Sequence, residues 1–275
     1  ANIILVTEIL LMTAFLTMNA SDTHTSGNFL VSSGLKGFLP TDENSLHLIE
    51  RSCWWFHILG VLGFLNYLPY SKHFHILLAF PATYYSNLLP KGQFTNMHAV
   101  TNEVKLMFDP NADPYAAAPE TDPNAEVVRF GAKEVNDLTW KNLMDSYSCT
   151  ECGRCSSECP ANQTGKLLSP RKIMMDTRDR LEEFGANKGV DDGKSLLHDY
   201  ITPEELRACT TCNACTQACP INLDPLSIIM EMRRYLIMEE SNAPQEWNGM
   251  ATNIENNGAP WQFAQADRLN WATEE

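Results

Sequence analysis

Two long apolar runs separated by a polar stretch occupy the first third of the chain, and shorter mixed segments punctuated by Pro and Cys fill the rest. From Asn2 to Ala20 the only polar residues are Asn2, Glu8, Asn19 and three threonines. About 20 such residues cross a bilayer as a helix, so a membrane span is expected over 2–20. A buried core helix is the alternative reading, because a carboxylate in a lipid-facing span is costly and usually turns to a bundle interior or a water path. Ser21 to Ser45 reads as a polar loop with Gly27, Gly34, Gly37 and Pro40, and His24 and His47 in or beside it read as surface residues. A second span is expected over 52–70, opened by Trp54 and Trp55 and closed by Tyr67 and Tyr70, as interfacial aromatic belts require. After Ser71 and Lys72 the apolar pattern resumes up to residue 90, interrupted by Pro81. It reads as a helix continued beyond a bend or as an interfacial segment.

From Asp109 to Asn124 four prolines and several acids mark a solvated linker. The expected organisation is a membrane domain over 1–90, a linker over 91–134, a soluble domain over 135–240 and a tail over 241–275. Punctuation makes the soluble domain helical. Asp137 can cap a helix through Trp140 and Leu143, and Ser169-Pro170 and Asp224-Pro225 each place a cap before a first-turn proline. Thr202-Pro203-Glu204-Glu205 is a capping box. Met174, Met175, Met230 and Met232 read as core packing rather than haem ligands. The fold class is therefore all-α.

Composition and charge narrow the function. With 20 basic and 34 acidic residues the formal net charge is −14, which speaks against nucleic acid or anionic lipid as the main partner. Eight of the nine cysteines fall in two runs, C-T-E-C-G-R-C-S-S-E-C-P and C-T-T-C-N-A-C-T-Q-A-C-P. Each has the C-x2-C-x2-C-x3-C-P ferredoxin spacing, in which the fourth cysteine ligates the other cluster of a pair. The following proline can open a helix that carries this remote ligand away. One [4Fe–4S] cluster is thus assigned to Cys149, Cys152, Cys155 and Cys219, and a second to Cys209, Cys212, Cys215 and Cys159. Zinc knuckles or disulfides are the bland alternative, but zinc sites pair two cysteines with two more at a distance. Thiolate-bound clusters call for a reducing compartment, which puts them on the cytoplasmic side; the bias of Lys36 and Arg51 against Lys72, Lys91 and Lys105 is too weak to orient the spans. The chain opens on an alanine inside an apolar run, so the expectation is a longer polypeptide. No G-x-G-x-x-G, P-loop or Cys-Cys-Gly motif is present, and the chain reads as wiring rather than a substrate site.

His57 and His75 are 18 residues apart, five turns and about 27 Å along a straight helix, while His73 falls on nearly the opposite face. A membrane histidine is often only a hydrogen-bonding core residue. Two in register at opposite depths fit axial ligands of two stacked b-type haems. The stretch H-I-L-G-V-L-G-F-L-N-Y-L-P-Y-S-K-H-F-H resembles the last haem-binding helix of nitrate reductase gamma-subunit-like cytochromes b and of heterodisulfide reductase membrane subunits. That resemblance implies haem ligation at His57 and His75, with Pro69 and Ser71 matching the family's intervening residues. It implies up to two haems b whose opposing ligands are not in this chain, because Asn2 to Ala20 holds no histidine. The soluble part, with runs offset by 60 residues and each followed by a helix, resembles the α-helical ferredoxin domain of heterodisulfide reductase C-type and succinate dehydrogenase iron–sulfur subunits. A full succinate-type subunit is disfavoured, since no C-x4-C-x2-C occurs. The tail is similar to the segment leading into a catalytic cysteine-rich domain in fused heterodisulfide reductases, with Trp261, Arg268 and Trp271 as interface anchors. The resemblance as a whole implies an electron-transfer subunit in a prokaryotic cytoplasmic membrane. Its partners would be a quinone pool, membrane lipid and a separate cytoplasmic catalytic subunit that is cysteine-rich. The alternative is a membrane-anchored iron–sulfur scaffold without haem that serves only soluble redox partners.

Overall fold

Backbone hydrogen bonding turns the first apolar run into α1, Asn2–Ser21. The hydroxyls of Thr7, Thr13, Thr17 and Ser21 donate to carbonyls four residues back, so these four are satisfied within the helix. In the computed structural model the described residues are 2–22, 29–71, 73–90, 93–109 and 129–273. His24, Lys72, Lys91 and linker positions 110–124 lie outside them, as does the end of the tail at 274–275. Among the described residues the regular structure is helical, with no strand.

The chain divides into two units, 1–78 and 79–275. In the first, part of the expected polar loop is helical, as α2 (Leu30–Ser33) and a 3-10 turn at Lys36–Phe38. Helix α3, Glu43–Tyr67, starts nine residues before the expected span because Asp42 caps it, accepting from Ser45 N at 3.0 Å. His47 lies exposed on its first turns. α1 packs along α3, with Gly60 meeting Leu11 so closely that a Cβ there would stand 2.3 Å from Leu11 Cδ2. Glu8 is exposed. Leu5, Ile9, Leu59, Leu62 and Leu65 also point outward, each more than half exposed. By length and composition, Asn2–Ser21 and Glu43–Tyr70 are long and apolar enough to cross a membrane.

The break after α3 corrects the helical register read for the histidines. Leu68–Tyr70 forms a 3-10 turn containing Pro69, Ser71 is extended, and α4 begins anew at Phe74 and runs to Tyr84 through Pro81. Ser71 holds the break, its hydroxyl donating to Leu68 O at 2.9 Å and accepting from His73 N at 3.2 Å. His57 and His75 therefore sit on different helices. His73 is not on an opposite face; its ring centroid lies 6.2 Å from that of His75.

In the second unit α5, His98–Phe108, gives helical form to part of the stretch read as linker. Asp137 does not cap the helix through Trp140. It closes the turn Val135–Asp137 by accepting from Lys133 N and Glu134 N, and Thr139 caps α6, Trp140–Ser148. The other caps form as the sequence predicts. Ser169 opens α9 (Pro170–Ala186), the Thr202–Glu205 capping box opens α10 (Pro203–Ala208), and Asp224 opens α12 (Pro225–Met238). Each has proline in its first turn. Between them lie α7 (Arg154–Ser157), α8 (Pro160–Gln163) and α11 (Ala214–Ala218). The core joins Ile173, Leu196, Leu197, Leu206, Ile228 and Met232, with Met174 buried and Met230 packed against it. Arg180, 1% exposed, anchors one end by donating to Glu134 and Asp192. The tail forms α13 (Gln245–Asn257), closed by left-handed Gly258, and α14 (Asn270–Thr273).

Candidate metal centre

Each cysteine run contains a short helix, α7 in the first and α11 in the second, and these two helices pack against each other. The run's first three cysteines precede or enter its helix, and the fourth follows it. Packing α7 on α11 therefore carries the end of each run toward the start of the other. One cavity, about 90 Å³, is lined by Cys149, Cys152, Cys155 and Cys219, with Cys215 also on its wall. Cys149 has Cys155 and Cys219 as charge neighbours, and Cys155 has Cys152 and Cys219. On the other side Cys209 has Cys159 and Cys212 for neighbours, and Cys215 has Cys209.

No three His, Cys, Asp or Glu side chains among the described residues converge on a point that could hold a single ion. Thiols spread around a cavity suit a cluster whose separate irons each take one thiolate. The surroundings are apolar, with Met174, Ile221, Leu223 and Pro225 on the same wall. Burial pushes the Cys149 thiol up to about 11 and that of Cys215 up to about 12. Thiolates in this setting need a cationic partner such as iron to carry their charge.

The runs repeat in conformation as well as in spacing. Glu151 and Gly153 are left-handed in the first, Thr211 and Asn213 in the second. A β-branched residue at φ 56° such as Thr211 is strained. The turn brings an amide to sulfur: Thr211 N donates to Cys209 Sγ at 3.4 Å, and the Glu151 amide bonds Cys149 in the same way. Behind each run stands an arginine on the ninth residue of the following long helix. Arg178 pairs with Glu151 at 2.8 Å, and Arg233 donates to the carbonyls of Leu206 and Cys209. Sequence reasoning missed both arginines, although aligning the helices from Pro170 and Pro225 brings them into register.

Comparison with known proteins agrees with this geometry. Residues 148–223 match the model of the 4Fe-4S dicluster domain. The protein has a 4Fe-4S dicluster domain. It is 33% identical to the probable iron-sulfur-binding oxidoreductase FadF of Bacillus subtilis over 89% of this chain and 36% of the relative. To the EtfAB:quinone oxidoreductase of Syntrophomonas wolfei it is 29% identical over 82% of this chain and 31% of the relative. The chain thus spans about a third of the length of these two relatives. The C-type subunit of the ferredoxin/F(420)H(2)-dependent CoB-CoM heterodisulfide reductase of Methanosarcina acetivorans is 31% identical over 42% of this chain and 60% of its own length. No solved structure matches the chain. These likenesses support an iron–sulfur electron-transfer role.

Outside the dicluster domain, the two candidate haem histidines are placed differently. His57 Nδ1 lies 3.0 Å from Leu11 O, and its ring is 5.5 Å from that of Phe15. His75 opens α4 beside His73, whose ring also meets Phe64 edge-on at 6.1 Å.

Proposed function

We propose that this chain is an electron-transfer subunit of a membrane-bound oxidoreductase, passing electrons between a quinone pool and b haems and a cytoplasmic catalytic partner. The observation that carries the reading is the α7–α11 packing, which brings Cys219 to the cavity of Cys149, Cys152 and Cys155. In this reading those four hold one [4Fe–4S] cluster, and Cys209, Cys212, Cys215 and Cys159 hold the other. Clusters so bound supply one-electron transfer. The chain's own contribution is to bury Cys159 and Cys215, donate amides to two sulfurs and stand an arginine behind each run.

The outward apolar side chains of α1 and α3 support a place in the prokaryotic cytoplasmic membrane, with the clusters on the cytoplasmic side. Support for haem comes from His57. A metal-bound imidazole usually gives its second ring nitrogen to a carbonyl or carboxylate, and Leu11 O takes Nδ1 and leaves Nε2 for iron. His75 is the candidate for a second haem, within the segment that resembles nitrate reductase gamma-like cytochromes b. The quinone follows a relative whose name includes it, and a separate catalytic partner follows relatives that are heterodisulfide reductase subunits. Exposed Trp261, Phe263 and Trp271 beside Arg268 give the tail the composition of a docking surface.

The break at Ser71 favours one narrower reading, an anchored iron–sulfur relay without haem, because it takes His57 and His75 off a common helix. An optical and EPR inventory of the purified membrane protein tests both. The main reading expects two reducible [4Fe–4S] signals and a reduced b-haem α-band. Clusters without that band would leave the relay alone, and fewer than two clusters would overturn both.

A further inference from the structure

The second unit holds a cavity of about 320 Å³ that no cysteine lines. Its floor is α6, α11 and the start of α12, contributing Asn142, Asp145, Thr216 and Asp224; its roof is the chain around Tyr85, Leu89, Pro90 and Gln93. That roof is tied at both ends. Asn222 Nδ2 donates to Asn87 O at 3.0 Å, Arg234 donates to Thr95 O, and the Tyr85 ring meets Trp140 edge-on at 5.1 Å. The floor touches the metal centre, for Thr216 Oγ1 lies 4.0 Å from Cys215 Sγ and 3.2 Å from Asp224 Oδ1.

The wall selects its ligand. Asp145, Asp224 and Glu231 outnumber Lys141, and Lys141 is already paired with Asp145. A phosphate or carboxylate would be repelled, and no acid cluster among the described residues is arranged to hold a metal. A neutral planar molecule with carbonyl acceptors suits a lining in which Gln93 and Asn213 supply amides and Leu89 and Pro90 apolar surface. The volume falls within the usual range for such ligands.

We infer that this cavity binds a quinone head group one side chain away from the cluster that Cys215 would ligate. The inference rests on the electron-transfer reading above, and it locates a quinone site on the dicluster domain rather than at a haem. Reduction would take two electrons from the reduced iron–sulfur clusters and two protons, one for each carbonyl oxygen, converting both C=O groups to C–OH. Asp145 at the wall can relay both protons in turn from solvent, with Lys141 pairing with the carboxylate left after each transfer. Burial pushes the Asp145 carboxyl up to about 6, so it exchanges protons near neutrality.

Isothermal titration of the full-length, cluster-loaded protein in detergent with menadione tests the assignment. Leu89→Trp fills the roof from a position that is 55% exposed and does not threaten the core; Gln93→Leu removes a donor. The expected result is at least a tenfold weaker Kd in both variants, with the cluster EPR spectra unchanged. Menadione binding should persist in His57→Ala. If wild type binds and reduces menadione and both roof variants do so equally well, the cavity assignment is wrong and the electron-transfer reading stands. If wild-type protein with intact, reducible clusters neither binds nor reduces menadione, the quinone coupling falls and this site with it.

Discussion

His57 Nδ1 and Leu11 O stand 3.0 Å apart, so a main-chain carbonyl of α1 fixes how the α3 histidine presents its other nitrogen. The contact exists because Gly60, about one turn along α3, lets Leu11 approach to a distance no side chain would permit. Gly60→Leu should wedge the helices apart and release the imidazole. We expect loss, or a marked potential shift, of the haem assigned to His57, with both clusters kept. Unchanged reduced optical spectra in Gly60→Leu would mean that the carbonyl has no orienting role. Because the Ser71 break separates the histidines, His57→Ala and His75→Ala should each remove one haem independently.

Arg178 and Arg233 occupy equivalent places behind the two cysteine runs, one bound to Glu151 and the other to the Cys209 carbonyl. A positive charge near a cluster favours its reduced, more negative state. Arg233→Met should therefore lower the midpoint potential of the cluster at Cys209, on the order of 60 mV if the charge contributes about 1.4 kcal/mol to a one-electron couple. Arg178→Met should act on the other cluster. Redox titration followed by EPR separates the two, and a single shift common to both clusters would contradict the assignment.

The parts of this architecture that were legible in the sequence are those set by local chemistry. Ser169, Thr202 and Asp224 each place a cap before a proline, and each opens its helix. The apolar stretches 2–20 and 52–67 became helices because nothing in them interrupts the hydrogen-bond ladder. What escaped depended on competition or on distance. Asp137 was outbid by Thr139, two residues on, whose hydroxyl reaches Asn142 N. Pro69 and Ser71 break the helix where Pro81 does not, because the Ser71 hydroxyl stabilises an extended turn. The pairing of Arg178 with Glu151 spans 27 residues and has no local pattern. Neither has the left-handed conformation of Thr211.

Asp145 is almost fully buried beside Lys141, and burial raises its carboxyl from 3.8 to about 6. A carboxylic acid whose folded pKa is raised holds its proton more tightly when folded, so stability is lost as pH rises through this window. Asp145→Asn should match wild type near pH 4 and become the more stable protein above pH 6, by at most about 3 kcal/mol. Thermal unfolding of the two proteins across that range checks the sign. A gap that is constant with pH would mean that Asp145 titrates normally.

Arg180 joins Glu134, before α6, to Asp192, after α9, from a site 1% exposed. Arg180→Ala leaves both carboxylates facing each other without a cation. It should lower the unfolding midpoint well beyond Arg178→Met, while cluster spectra at low temperature stay native. Equal midpoints in the two variants would show the clamp to be dispensable.

Crossed ligation is the claim on which the rest depends, and Cys219→Ala tests it most directly. Cys219 belongs to the second run in sequence but lines the cavity of Cys149, Cys152 and Cys155. EPR of the dithionite-reduced variant should show the loss or conversion of one cluster only. A second substitution in the first run, Cys152→Ala, should abolish that same signal and leave the other untouched. If Cys219→Ala instead removes the signal lost in Cys212→Ala, each run binds its own cluster and the crossed arrangement is wrong.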